Sequence, residues 1–138
     1  MDKDPELIEL RRADFVTIGT VGRPGQRTFF LQAAQDDLVV SLIIEKEQAT
    51  ALAIGISNVL SDAEALDEVE GGPQLELIHP VRPLFRVSRL NLGYDEADDL
   101  IVVIAEGLVP QGEVAMTVRI WATRDQMLAL EKRWLETV

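Results

Sequence analysis

The stretch RTFFLQAAQDDLVVSLIIEKEQATALAIGISNVL, residues 27–60, carries two hydrophobic periods in succession. Over 27–35, Phe29, Leu31 and Ala33 alternate with Thr28, Phe30 and Gln32, and a period of two predicts a strand. Asp36-Asp37 marks a turn. Residues 38–46 are rich in β-branched side chains and place Leu38, Val40, Leu42 and Ile44 on one face of a second strand. From about Glu47 to Leu60 the period lengthens. Leu52, Ile56, Val59 and Leu60 fall at helical spacing and form one apolar stripe. Gly55 lies inside that helix at a cost of about 1 kcal/mol relative to Ala, which reads as room for a close neighbour.

Working outward, DFVTIGTV at 14–21 is a further strand, and Gly22-Arg23-Pro24-Gly25 turns the chain between it and the next. Residues 14–60 therefore read as βββα. Residues 1–13 read as an arm or short helix with Leu7, Ile8 and Leu10 on one side. Residues 61–83 hold six acids, three prolines and one base, Arg82. This is an acidic connector, partly packed through Leu75, Leu77 and Ile78. The pattern then repeats over 84–138. A strand at 84–93 changes its apolar phase near Ser88, the sign of a bulge. A second strand follows at 99–107, and Pro110-Gln111-Gly112 turns the chain again. A third, at 113–123, points Val114, Met116, Val118 and Ile120 one way. Thr123 opens a final helix, with Gln126 reaching back as in a capping box and Met127, Leu130, Trp134 and Val138 as its stripe. An offset of 78 residues lays Val40 on Val118, Gln48 on Gln126, Ala51 on Ala129 and Leu52 on Leu130. The expected fold is one α+β domain: two βββα units, 14–60 and 84–138, their antiparallel sheets covered by two helices. An internal duplication and two ordinary meanders both fit that order.

The bulk composition excludes several chemistries. The chain has 138 residues, 24 Asp plus Glu against 13 Lys plus Arg, and a net charge of −11. A surface this acidic repels nucleic acid and anionic membrane. Cysteine is absent, which removes disulfides, thiolate zinc sites, iron–sulfur clusters and cysteine nucleophiles. The charged N-terminus has no signal-peptide core, and no apolar run approaches the ~20 residues that span a bilayer. A cytoplasmic location is the expectation. His79 is the only histidine, so a histidine pair on a metal cannot form.

Few residues point to chemistry. The glycines of Gly19–Arg27 would let backbone amides approach an anion, with Arg23 and Arg27 adding forked donors and Arg86 and Arg89 extending the site. Phosphate loops, however, run from a strand into a helix, and this one joins two strands; hairpin glycines meeting turn geometry explain it as well. Asp95, Glu96, Asp98 and Asp99 crowd one turn but lack the order of a calcium loop, so a solvated turn is expected and no metal is assigned. His79 has no partner nucleophile in the sequence and reads as a loop histidine. Glu45, Lys46 and Gln48 lie where strand passes into helix. Such a place suits a ligand-binding site and equally suits polar residues near the positive end of the helix. Trp134 belongs to the core stripe. Trp121 falls on the opposite face from Val118 and Ile120, covered by the fold or by a partner.

The segments GTVGRPGQRTFFLQA at 19–33, SLIIEKEQATALA at 41–53 and FRVSRLNLGYD at 85–95 resemble a bacterial family of unknown function, DUF3090, over most of 14–138. The resemblance supplies no activity. It implies a cysteine-rich tail of zinc-binding appearance after the last helix; with no cysteine in this chain, nothing vested in such a tail carries over. The functional expectation is a non-catalytic binding or interaction module for a partner protein or a small anionic ligand, with Arg23, Arg27, Arg86, Arg89, Glu45 and Gln48 as ligand-binding residues. No catalytic residue and no cofactor are assigned. A homodimer through exposed sheet edges fits too. The alternative is an enzyme acting on a phosphorylated metabolite through the Gly19–Arg27 loop and Glu45.

Overall fold

The computed structural model describes residues 6–61, 76–108 and 115–137. Seven strands and two helices follow one another: β1 Glu6–Leu10, β2 Phe15–Val21, β3 Thr28–Gln35, β4 Leu38–Ile44, α1 Lys46–Ser61, β5 Pro83–Asp95, β6 Leu100–Gly107, β7 Met116–Ala122 and α2 Arg124–Thr137. The strands form one mixed sheet in the order β1-β7-β6-β5-β4-β3-β2.

This arrangement corrects the expectation of two βββα units with antiparallel sheets. β4 pairs with β5 in parallel, and β1 pairs with β7 in parallel, so both groups of strands belong to a single mixed sheet in which strand dominates. The arm expected at 1–13 contributes a strand, β1, whose Leu10 is fully buried. Parallel pairing joins residues far apart in sequence, and no local period announces it. The turn at 110–112, Val114, Val138 and the connector from 62 to 75, Leu75 included, lie outside the described residues.

The sheet cannot be flat. Laid flat, seven strands put β1 and β2 about 29 Å apart. The five Cα steps from Leu10 to Phe15 span at most about 19 Å. The chain changes partner within that link: the Ala13 amide donates to the Trp121 carbonyl of β7 (3.0 Å), and the next amide, of Asp14, donates to the Ala34 carbonyl of β3 (2.8 Å). The two ends of the strand order are thereby drawn together and the sheet curls around one core. That core takes side chains from every element, among them Leu10, Ile18, Leu42, Ile56, Val103 and Trp134.

The two helices pack against each other, α1 on β5 and α2 on β2 and β6. Their stripes match the sequence spacing: Leu52 and Ile56 on α1, and Met127, Leu130 and Trp134 on α2, are all buried. Gly55 is the close-packing position, since a Cβ there would stand 2.7 Å from Leu92 Cδ1. The expected bulge is also present: the β5–β6 register shifts between Val87 and Arg89, and the Ser88 hydroxyl donates to the carbonyls of Glu106 and Gly107. Trp121 is buried under the Arg11 guanidinium, 4.2 Å from the ring centre.

Candidate functional site

Each helix begins where a strand ends, and a glutamine ties each junction to a main-chain carbonyl of another segment, β5 at the first and the β1–β2 link at the second. At the first junction, Gln48 Oε1 accepts from the Glu45 amide (2.8 Å) while Nε2 donates to the Val87 carbonyl of β5 (3.0 Å). At the second, Gln126 Oε1 accepts from the Thr123 amide (2.8 Å) while Nε2 donates to the Ala13 carbonyl (2.7 Å). The Thr123 hydroxyl accepts from the Gln126 amide (3.1 Å), which completes the capping box. One amide side chain thus satisfies a helix-start donor and a distant main-chain acceptor together.

The first junction gathers three of the residues singled out in the sequence. Glu45, Gln48 and Arg86 meet there, and Arg86 Nη1 lies 2.6 Å from Glu45 Oε1 in an exposed ion pair. Arg89, past the bulge, lies 4.0 Å from Glu106 instead. It lines a cleft of about 310 Å³ with Gln48, Gly55, Ser88 and Leu92. Arg23 and Arg27 sit on the β2–β3 hairpin, where Gly22 (φ 113°) and Gly25 (φ 86°) adopt backbone that L side chains avoid and the Gln26 amide donates to the Arg23 carbonyl (2.8 Å). Both arginines are exposed. Among the described residues neither guanidinium has a carboxylate within ion-pair distance. Because Phe29 pairs with Ile44, the hairpin projects past the end of β4 that leads to Glu45. Arg23, Arg27, Glu45, Gln48 and Arg86 therefore share one end of the sheet.

The second junction borders a larger cleft, about 570 Å³, lined by Arg12, Asp14, Trp121, Thr123, Arg124 and others. Of the acidic turn, Asp99 makes the side-chain contacts that border this cleft. It takes a positive φ of 53°, accepts from the Tyr94 hydroxyl, and pairs with Arg124 at 2.8 Å. The Tyr94 hydrogen bond, and then the Arg124 guanidinium, hold the Asp99 carboxyl below the usual aspartate range. A depressed folded-state pKa stabilises above the unfolded value and is lost as pH falls through the folded one. Asp99→Asn should therefore lower stability at pH 7 to 8 and leave it little changed at the acid end, below the usual aspartate range, which flattens the acid limb of a stability–pH curve, as read by urea midpoints across pH; an unaltered acid limb would remove Asp99 from that role. Among the described residues no group of three or more His, Asp or Glu could hold a metal ion.

Sequence reasoning missed a polar row on the outer face of β2–β4. Thr17, Gln32 and Ser41 stand directly opposite one another and are all buried. Gln32 Nε2 donates to Ser41 Oγ (3.0 Å) and to the Ile78 carbonyl (3.1 Å), and Gln32 Oε1 accepts from the Ile78 amide (2.7 Å). The signal was present as one amide inside the apolar run FFLQAA, and a buried amide requires partners.

No helix among the described residues is long and apolar enough to cross a membrane. No curated protein and no solved structure matches the chain. A family model described as a protein of unknown function, DUF3090, matches residues 8–138, nearly the whole length, and by that match the chain belongs to the DUF3090 family.

Proposed function

We propose that this protein is a non-catalytic binding module and that the hairpin end of its sheet takes a small anionic ligand. One observation carries the reading: Arg23 and Arg27 are exposed on a loop ordered by two positive-φ glycines, with no ion-pair partner among the described residues, in a chain of net charge −11. In so acidic a chain an arginine readily finds a carboxylate, as Arg86, Arg89, Arg119 and Arg124 do. Arg23 and Arg27, which stand together on one hairpin, do not, and are available to a ligand. Arg86 is close to the same end, and α1 begins there with its positive pole. Glu45, the carboxylate that an enzyme at this loop would use, is engaged by Arg86, and this favours binding over catalysis.

The test is calorimetric titration with inorganic pyrophosphate at low salt. A charge-assisted hydrogen bond contributes about 1.5–3 kcal/mol, so Arg27→Ala should weaken binding about tenfold or more, and Arg23→Ala with Arg27→Ala should abolish it. Melting temperature should stay within a degree or two, because both side chains are exposed. Pyrophosphate binding that survives the double substitution, or no binding by the unaltered protein, rejects the reading.

A further inference from the structure

The two strand–helix junctions are wired alike, and they differ at one position. In the first, Gln48 bonds the Glu45 amide and the Val87 carbonyl; in the second, Gln126 bonds the Thr123 amide and the Ala13 carbonyl. Thr123 therefore stands where Glu45 stands. Arg12, just before Ala13, stands where Arg86 stands, just before Val87. Arg86 has its carboxylate, Glu45, at 2.6 Å. Arg12 has a threonine in that place, and its guanidinium has no carboxylate within ion-pair distance among the described residues. Arg12 and Thr123 both line the larger cleft. A carboxylate brought by a ligand would find there the pairing that Glu45 gives Arg86.

The cleft can hold the rest of such a ligand. Its volume, about 570 Å³, lies within the range of small-molecule sites. Four segments wall it: the β1–β2 link, the β5–β6 turn, the end of β7 and the start of α2. Arg124 and Asp99 neutralise each other at 2.8 Å, and Asp14 Oδ2 accepts from the Asp36 amide. Two further lining carboxylates, Asp98 and Asp125, have no ion-pair partner among the described residues. One free guanidinium thus shares the cleft with two free carboxylates. A single exposed ion pair gains little, but a ligand bearing complementary charges on one frame engages several at once. A phosphorylated ligand meets repulsion from the aspartates, and a simple diamine leaves Arg12 unanswered.

We infer that this cleft binds a free basic amino acid. Its carboxylate pairs with Arg12, in the position that Glu45 takes at the first junction, and its two ammonium groups are held by the carboxylates of Asp98 and Asp125. The cleft shares no residue with the hairpin arginines, so this inference stands or falls independently of anion binding.

The probe is L-lysine, titrated at millimolar concentration and low salt into isotope-labelled protein and followed by the amide resonances of Thr123 to Gln126. Cadaverine, the same diamine without the carboxylate, is titrated beside it. Lysine should shift these resonances. Arg12→Ala should weaken lysine about fivefold or more, the upper range for one exposed ion pair, and should not weaken cadaverine. Thr123→Glu rebuilds the ion pair of the first junction and should weaken lysine in the same way with Arg12 still present. Asp98→Asn combined with Asp125→Asn should weaken both ligands. Arg12, Asp98 and Asp125 are exposed, so melting temperature should hardly move. No shift with lysine, lysine binding that Arg12→Ala leaves unaltered, or equal weakening of lysine and cadaverine by Arg12→Ala overturns the inference. Should Thr123→Glu fail to fold, the Arg12→Ala comparison decides by itself.

Discussion

Trp134→Ala should lower stability by about 3–5 kcal/mol, the usual range for removing a buried aromatic side chain. Trp134 is 2% exposed and meets Phe29 of β3 edge to face, with ring centres 5.5 Å apart and planes at 71°. Its position makes the cost more than local. α2 follows β7, near one end of the strand order, yet packs on β2 at the other end. Trp134 therefore helps to hold the curled sheet closed as well as filling volume. Total stability for a domain is about 5–15 kcal/mol, so the variant should sit near the edge of folding at room temperature. Urea denaturation followed by circular dichroism measures the loss. Leu135→Ala, one residue away and 67% exposed, is the control and should change stability by no more than about 0.5 kcal/mol. A loss below about 1 kcal/mol for Trp134→Ala would mean that α2 does not close the sheet in this way.

The second large effect belongs to the junction glutamines. Gln126→Leu keeps the Thr123 cap but removes the reciprocal bond of the capping box, a hydrogen bond typically worth about 1 kcal/mol. It also leaves the carbonyl of the buried Ala13 without its donor, at a cost of about 1–3 kcal/mol. A loss of about 2–3 kcal/mol is expected. Gln48→Leu should cost a similar amount, because the same two bonds are made to Glu45 and Val87. Gln126→Glu separates the parts: its carboxylate still accepts from the Thr123 amide but has no donor for Ala13. It should therefore fall between the parent and Gln126→Leu. The two glutamines share no partner, so the double variant should equal the sum of the single losses within about 0.5 kcal/mol. A strong departure from additivity would show that the junctions are coupled through the packed helices.

Most elements could be read from the sequence, because alternation and helical spacing are local properties. The strands around Leu31, Leu42 and Ile120, the helix stripes, the Thr123 cap and the Ser88 bulge all follow from residues within a few positions of one another. What escaped was partnership between distant segments. ELIEL at 6–10 is too short for its period to separate strand from helix, and only β7, more than a hundred residues later, settles it. The parallel step from β4 to β5 depends likewise on pairing Ile43 with Arg86. The candidate site divides in the same way. Glu45 and Gln48 are neighbours on a helix start and were legible together. Arg86 joins them only through the sheet, and Arg89, expected beside it, falls past the bulge and turns to Glu106. The Gln32 row was visible as an odd amide in an apolar strand, but its purpose depended on a segment 46 residues away.

The parallel pairing of β1 with β7 has a consequence during synthesis. Residues 6–10 pair with 116–120, so this strand leaves the ribosome more than a hundred residues before its partner is made. At about 5–20 residues per second, translation of the intervening stretch takes roughly 5–20 s. Through that interval Leu7, Ile8 and Leu10 have no sheet to join. Their immediate neighbours are Glu6, Glu9, Arg11 and Arg12, and charges beside a short apolar strand discourage pairing with the wrong chain. Residues 6–12 thus serve two successive ends, keeping a nascent chain solitary and later fastening the folded sheet.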